Sequence, residues 1–265
     1  MEKVKIVLLT GGSSGIGAAT AKLLAEAGMK VYAGSRRGTT EKPAPGVVPI
    51  RMDVNDEASV QAAVQDIISR EGRLDALVCN AGNGIYSPVE GTSDEEARYQ
   101  FETTYFGALR SIQACLPQMR AQGFGRIITV TSVMAILPLP FQGFYASTKA
   151  ALLSISESLS MELHGSGIQC CSILPGDVKT GFTAARRLGE MAPPYRKWAE
   201  KNLRKIEKDE QGGMEPEVIG RAILRQLKRR KMRVRYIPRI DYGLVGILVR
   251  IVPESLKLWI IRHLY

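Results

Sequence analysis

The chain has 265 residues, 45% of them hydrophobic and 23% charged, with a net charge of +10. Such a length and balance fit one large soluble α/β domain with ample core. Only two histidines (His164, His263) and four cysteines without CxxC spacing (Cys79, Cys115, Cys170, Cys171) argue against a histidine-based zinc site and for a reduced compartment.

The opening MEKVKIVLLTGGSS turns into a strand almost at once, with a glycine loop where a signal peptide would end, so the expected location is cytoplasmic. Lys5–Thr10 is a continuous apolar run of the kind a strand buried in a parallel sheet needs. Glycine-rich residues 11–17 follow, then an alanine-rich helix over Ala18–Ala27 closed by Gly28. A strand, a glycine turn and a helix in this order make a phosphate cradle, because bare backbone N–H groups and a helix N-terminus face the anion. Val31–Ser35 and Val47–Arg51 read as further strands. After the second comes Ser35-Arg36-Arg37, with no carboxylate to hold a ribose 2′-hydroxyl. Arginine there clamps a 2′-phosphate, so the spacing predicts NADP(H) over NAD(H).

Asp56–Ser69 reads as a helix with Val60, Ala63, Val64, Ile67 and Ile68 on one face. Leu74–Cys79 is a strand running into Asn80-Ala81-Gly82, and a long helical region near Asp94–Ala121 precedes strand Arg126–Thr131. The next helix starts near Tyr145 and runs to about Leu163, and Ile168–Leu174 returns as a strand into Pro175-Gly176. Alternation of this kind predicts an α/β fold, a single-domain, doubly wound parallel sheet of Rossmann type over 1–265.

Residues 180–213 break the pattern. They are charged and interrupted by Pro193-Pro194 and Gly212-Gly213, yet carry Phe182, Leu188, Met191, Tyr195 and Trp198. An insertion at the carboxyl edge of the sheet is placed to act as a substrate lid. Residues 221–265 hold twelve Lys/Arg against Asp241 and Glu254, so the whole net charge belongs to the C-terminus. The apolar runs Leu244–Val249 and Leu256–Ile261 are too short to span a bilayer. This basic, apolar C-terminal extension (240–265) either packs on the domain or a sister subunit, or makes peripheral contact with an anionic membrane. It lacks the interleaved aromatics of a nucleic-acid platform, so no specific nucleic-acid partner is expected.

The chemistry concentrates in Tyr145-Ala146-Ser147-Thr148-Lys149, thirteen residues after Ser132. On a helix, residues four apart share a face, so a phenol stands over an ammonium that favours the phenolate. A nearby hydroxyl holds the oxygen of an alcohol or ketone. Proton carrier, tuner and clamp are then all present. A Ser-His-Asp hydrolase is disfavoured.

Taken in order, Thr10-Gly11-x3-Gly15-Ile16-Gly17, Asp53-Val54, Asn80-Ala81-Gly82, Ser132, Tyr145-x3-Lys149 and Pro175-Gly176 resemble a short-chain dehydrogenase/reductase across residues 5–180. The resemblance implies hydride transfer between a nicotinamide and a carbonyl or hydroxyl, with Tyr145, Lys149 and Ser132 as catalytic residues. It implies cofactor contacts from Gly11, Ser13, Ser14, Gly15, Ile16, Gly17, Ser35, Arg36, Arg37, Asp53, Val54, Asn80, Ala81, Gly82, Tyr145, Lys149, Pro175, Gly176, Val178 and Thr180. In Thr103-Thr104-Tyr105-Phe106-Gly107, Thr104 takes the place of an Asn that many members use in a water-linked proton path, and a hydroxyl offers fewer partners than an amide. Leu137-Pro138-Leu139-Pro140-Phe141 and the tail are most similar to the 17β-hydroxysteroid and retinol dehydrogenase-like branch, which implies a bulky apolar, steroid-like substrate. 3-Oxo lipids or small ketones are the alternatives, and a non-catalytic nucleotide-binding sensor is the reading from another class. Members often pair through their long helices, so a homo-oligomer is expected.

Overall fold

In a computed structural model describing residues 3–39 and 43–265, the KIVLLT run becomes strand β1 (Ile6–Thr10), buried along its whole length. Residues 1–2 and 40–42 of the predicted domain lie outside the described residues, as do the side chains of Ile240, Val245, Ile247, Val249 and Arg250. Helix α1 (Gly15–Glu26) leads to β2 (Lys30–Ser35) and β3 (Val47–Arg51), then α2 (Glu57–Glu71) to β4 (Ala76–Cys79). Asp56 caps α2 by accepting from Ala58 N and Ser59 N, which leaves Asp53 free of that duty.

The long helical region is not one regular helix. Helix α3 (Asp94–Phe101) runs into a π-turn over Glu102–Phe106 and continues as α4 (Gly107–Ala121). Strand β6 (Gly125–Val130), helix α5 (Gly143–Glu162) and strand β7 (Ile168–Ile173) match the predicted order within two residues at each end. Helix α8 (Pro216–Leu227) then leads to a short strand β9 (Arg235–Tyr236).

All neighbouring strands are parallel, in the order β3-β2-β1-β4-β6-β7-β9. The order reverses at β1, which opens a crevice beyond the carboxyl ends of β1 and β4. Pro49 sits in β3, the edge strand, where its missing N–H costs no ladder bond. Two apolar layers sandwich the sheet: one joins Leu8, Leu77 and Ile127 to α2, α4 and α5, the other joins Leu9, Val78 and Ile128 to α1 and α8.

Residues 180–213 form a helical arm: α6 (Phe182–Ala185), β8 (Arg187–Leu188), a single 3-10 turn at Pro193–Tyr195 and α7 (Arg196–Gln211). Strand β8 pairs with β5 (Ile85–Tyr86), and the Tyr86 hydroxyl bonds to Ala199 O and Asn202 Oδ1, both at 2.8 Å. The C-terminal extension is helical as well, α9 (Ile240–Ile251) and α10 (Glu254–Leu264). Among the described residues, no helix is long and apolar enough to cross a membrane.

Candidate active site

A cleft of about 550 Å³ lies over the carboxyl ends of the strands. Its floor is built by the glycine turn. Gly11 and Gly15 have φ of +65° and +50°, and a side chain at Gly17 would meet Gly11 O at 2.0 Å. Only glycine lets the start of α1 close on the end of β1 there. Asn80 braces this turn by donating from Nδ2 to Thr10 O and Gly11 O, at 3.2 and 3.1 Å. Ser14 caps α1 by position without a side-chain bond, so the helix's first N–H groups face the cleft with no side chain in the way. That donor set fits a pyrophosphate.

Ser35 and Arg36 line the adenosine end with Asp53, Val54, Asn80, Ala81 and Gly82. Arg36 and Arg37 are both exposed, and of the two only Arg36 lines the cleft. One oxygen of Asp53 accepts from Asn55 N at 3.0 Å. The other predicted cofactor contacts, Ser13, Ile16, Pro175, Gly176, Val178 and Thr180, also line the cleft, whereas Gly17 lies beneath its floor.

At the far end Tyr145, Ser132 and Lys149 meet on one wall. Ser132, two residues past β6, opens the 3-10 turn Val133–Ala135 and accepts from Met134 N at 3.1 Å. Lys149 Nζ donates to Val130 O at 2.9 Å and lies 5.6 Å from the Tyr145 ring centre. Burial pulls the Lys149 ammonium down to about 8. Burial also pushes the Tyr145 phenol up to about 12, opposed by the nearby Ser132 hydroxyl and reinforced by Glu210. The lowering of the phenol anticipated from Lys149 is not among the influences on Tyr145, and the phenol keeps its proton.

Thr104 does not itself line the cleft, but its hydroxyl borders Gly82, which does, on the side where the Lys149 amine also lies. Thr104 is fully buried inside the π-turn and accepts from Gln100 Nε2 at 3.3 Å, while Tyr99 and Thr103 from the same stretch line the cleft. Sequence periodicity cannot register a π-turn, so Tyr99 and Thr103 escaped notice. Phe182 faces Tyr145 with ring centres 5.7 Å apart. Tyr195 and Trp198 pack on Phe141 at 6.1 and 4.8 Å, and Leu188 is 62% exposed. Gln142, Asp177, Thr183 and Glu210 also line the cleft without having been singled out by any motif.

The short chain dehydrogenase family model matches residues 5–190. The 3-ketodihydrosphingosine reductase of Bacteroides thetaiotaomicron is 37% identical over 262 residues, 97% of this chain and 93% of that protein. The human 17-beta-hydroxysteroid dehydrogenase type 1 is 36% identical over 191 residues, 67% of this chain and 58% of that protein. A solved short-chain dehydrogenase from Streptomyces avermitilis superposes with a TM-score of 0.82 at 31% identity, covering 94% of each chain. Sheet order, glycine turn and matched sequence agree: the chain belongs to the short-chain dehydrogenase/reductase family of oxidoreductases.

Proposed function

We propose that the protein is an NADP(H)-dependent reductase of a carbonyl on a long or bulky apolar substrate, with a 3-oxo lipid as the first candidate. One observation carries this reading: Tyr145, Ser132 and Lys149 share a wall of the cleft that the glycine turn and Arg36 also line. The nicotinamide, when bound, supplies hydride to the carbonyl carbon. Tyr145 gives its phenolic proton to the carbonyl oxygen, and Ser132 holds that oxygen by a hydrogen bond. Lys149 holds the cofactor ribose and steadies the phenolate left behind. Thr104, buried behind the wall, supports the π-turn through Gln100. The Arg36 guanidinium meets the 2′-phosphate.

The relative matched over nearly its whole length is named for a 3-oxo lipid, which supports that class ahead of the hydroxysteroid expected from the sequence. A hydroxysteroid remains the second reading, supported by the human relative that matches over 191 residues. The 180–213 arm serves as the lid, with Phe182 over Tyr145. Exposed Phe106 and Met161 on the π-turn and α5 support pairing between copies, and exposed Leu and Trp side chains on α9 and α10 support peripheral membrane contact by a protein otherwise in the cytoplasm.

The test is NADPH oxidation across 3-oxo lipids, steroids, bile acids and retinoids, with Tyr145→Phe as control. Turnover of one class, lost by at least about a thousandfold in the variant, is expected. A folded, cofactor-binding protein that oxidises NADPH with no ketone in the panel would end the reading.

A further inference from the structure

The substrate end of the cleft is less apolar than a steroid or plain alkyl ketone requires. Gln142 is 2% exposed and lines the cleft, yet its Nε2 has no hydrogen-bond partner among the described residues. An amide donor buried without a partner is costly, and such groups persist where a ligand completes them.

Its position is imposed rather than incidental. Phe141, the residue before it, has φ of +61°, the one positive value outside glycine among the described residues. For a bulky aromatic residue that region is strained by about 1–3 kcal/mol and is kept only where the surroundings enforce it. Here they do. The Phe141 ring is packed by Tyr86, Tyr195 and Trp198, and its carbonyl accepts from Ser87 N at 2.8 Å. The chain then turns directly into α5, so Gln142 enters the cleft three residues before Tyr145.

On the lid side Glu210, from α7, lines the same cleft. Its carboxylate accepts from Thr183 Oγ1 at 2.6 Å and from Arg186 Nη2. The Arg186 side chain is 2% exposed, and its Nε and Nη1 have no hydrogen-bond partner among the described residues. Arg186 thus anchors Glu210 without saturating either group. A free donor on one side and an anchored carboxylate on the other, next to the reacting phenol, complement a small head that both accepts and donates.

We propose that Gln142 and the Arg186-anchored Glu210 form a head-group subsite that selects ketones carrying an amine on the carbon beside the carbonyl and a hydroxyl on the carbon after that. Gln142 Nε2 donates to the head-group hydroxyl, and the Glu210 carboxylate accepts from the amine. Both are positioning residues for specificity and take no part in hydride or proton transfer. The inference rests on the reductase reading above and narrows its substrate.

The experiment compares kcat/KM for a long-chain 3-ketone bearing a 2-amino and a 1-hydroxyl group with that for the chain-matched plain ketone, using NADPH and wild-type, Gln142→Leu and Glu210→Gln proteins. Wild type should prefer the headed ketone by about 100-fold. Each variant should cut that preference by about tenfold, most of the change appearing in KM for the headed ketone. Because the readout is a ratio within one protein, partial misfolding cancels. If Glu210→Gln does not fold, Gln142→Leu decides alone. Equal turnover of both ketones by wild type, or variants that lower both rates in parallel, overturns the subsite and leaves the reductase reading standing. Reduction of neither ketone, nor of any other in the panel, removes both.

Discussion

The Lys149 ammonium lies 5.6 Å from the centre of the Tyr145 ring, one helical turn along α5, with Val130 O accepting its single hydrogen bond at 2.9 Å. A buried cation with so little compensation weakens the fold. Burial holds it near 8, below its ordinary 10.5, so the unfolded chain binds this proton more tightly than the folded one does. The cost is in full force below pH 8, shrinks as pH climbs towards 10.5, and is gone above that. Two and a half pKa units correspond to about 3 kcal/mol. Lys149→Met should therefore raise the thermal midpoint of the cofactor-free protein by several degrees at neutral pH, with the gain fading in alkali, while turnover falls by at least about 100-fold. Calorimetry across pH checks this; a variant less stable than wild type at neutral pH would refute it.

Reduction needs a protonated phenol and a charged Lys149. Tyr145 keeps its proton up to about 12, whereas Lys149 loses its own near 8. For carbonyl reduction, kcat/KM should hold steady below about pH 8 and decline above it, set by the lysine. A profile flat to pH 10 or so would show that the amine charge does not matter to the step.

Arg36 lines the adenosine end and Arg37 does not. Arg36→Ala should raise KM for NADPH by about tenfold or more and leave KM for NADH within about twofold, since only NADPH carries the 2′-phosphate. Arg37→Ala should alter neither beyond about twofold. Equal effects on both cofactors in Arg36→Ala would contradict the NADP(H) assignment.

Two separable roles are proposed for the tail. Tyr242 stacks on Gly176, and its hydroxyl donates to Asp177 Oδ2 at 2.6 Å while accepting from Asp177 N at 3.1 Å. Leu244, Leu248, Ile251, Leu256, Leu258 and Trp259 are exposed. Removing residues 240–265 should abolish sedimentation with anionic vesicles and weaken cofactor binding; Tyr242→Phe should affect cofactor binding alone. Vesicle association unchanged by the deletion, or insensitive to salt, would rule out the membrane role.

How much of this was legible beforehand follows the range of each interaction. The glycine turn was readable because its constraint is local: Gly17 must lack a side chain wherever a helix closes on β1. The doubly wound parallel sheet followed from the alternation of strands and helices. Tyr145, Ser132 and Lys149 were readable because four-residue spacing and chain order carry the information. Burial was not, so the Tyr145 phenol rises where proximity to Lys149 alone suggested a fall. Gln142, Glu210 and Arg186 belong to three separate segments and meet only through tertiary packing, which spacing cannot encode. Arg36 and Arg37 looked equivalent as neighbours, yet only Arg36 lines the cleft, a distinction that adjacency in sequence does not carry.

The π-turn at Glu102–Phe106 has a consequence for evolution as well as for shape. It amounts to one surplus residue accommodated within a continuous helical rod, which rotates everything before it by roughly 100° relative to everything after it. Tyr99 and Thr103 can thereby look into the cleft while Ile112 and Cys115 of α4 stay in the core. Excising a single residue there would leave composition and hydropathy almost untouched yet swing one half of the rod out of phase with the other. The stretch should therefore tolerate substitution far better than any change of length.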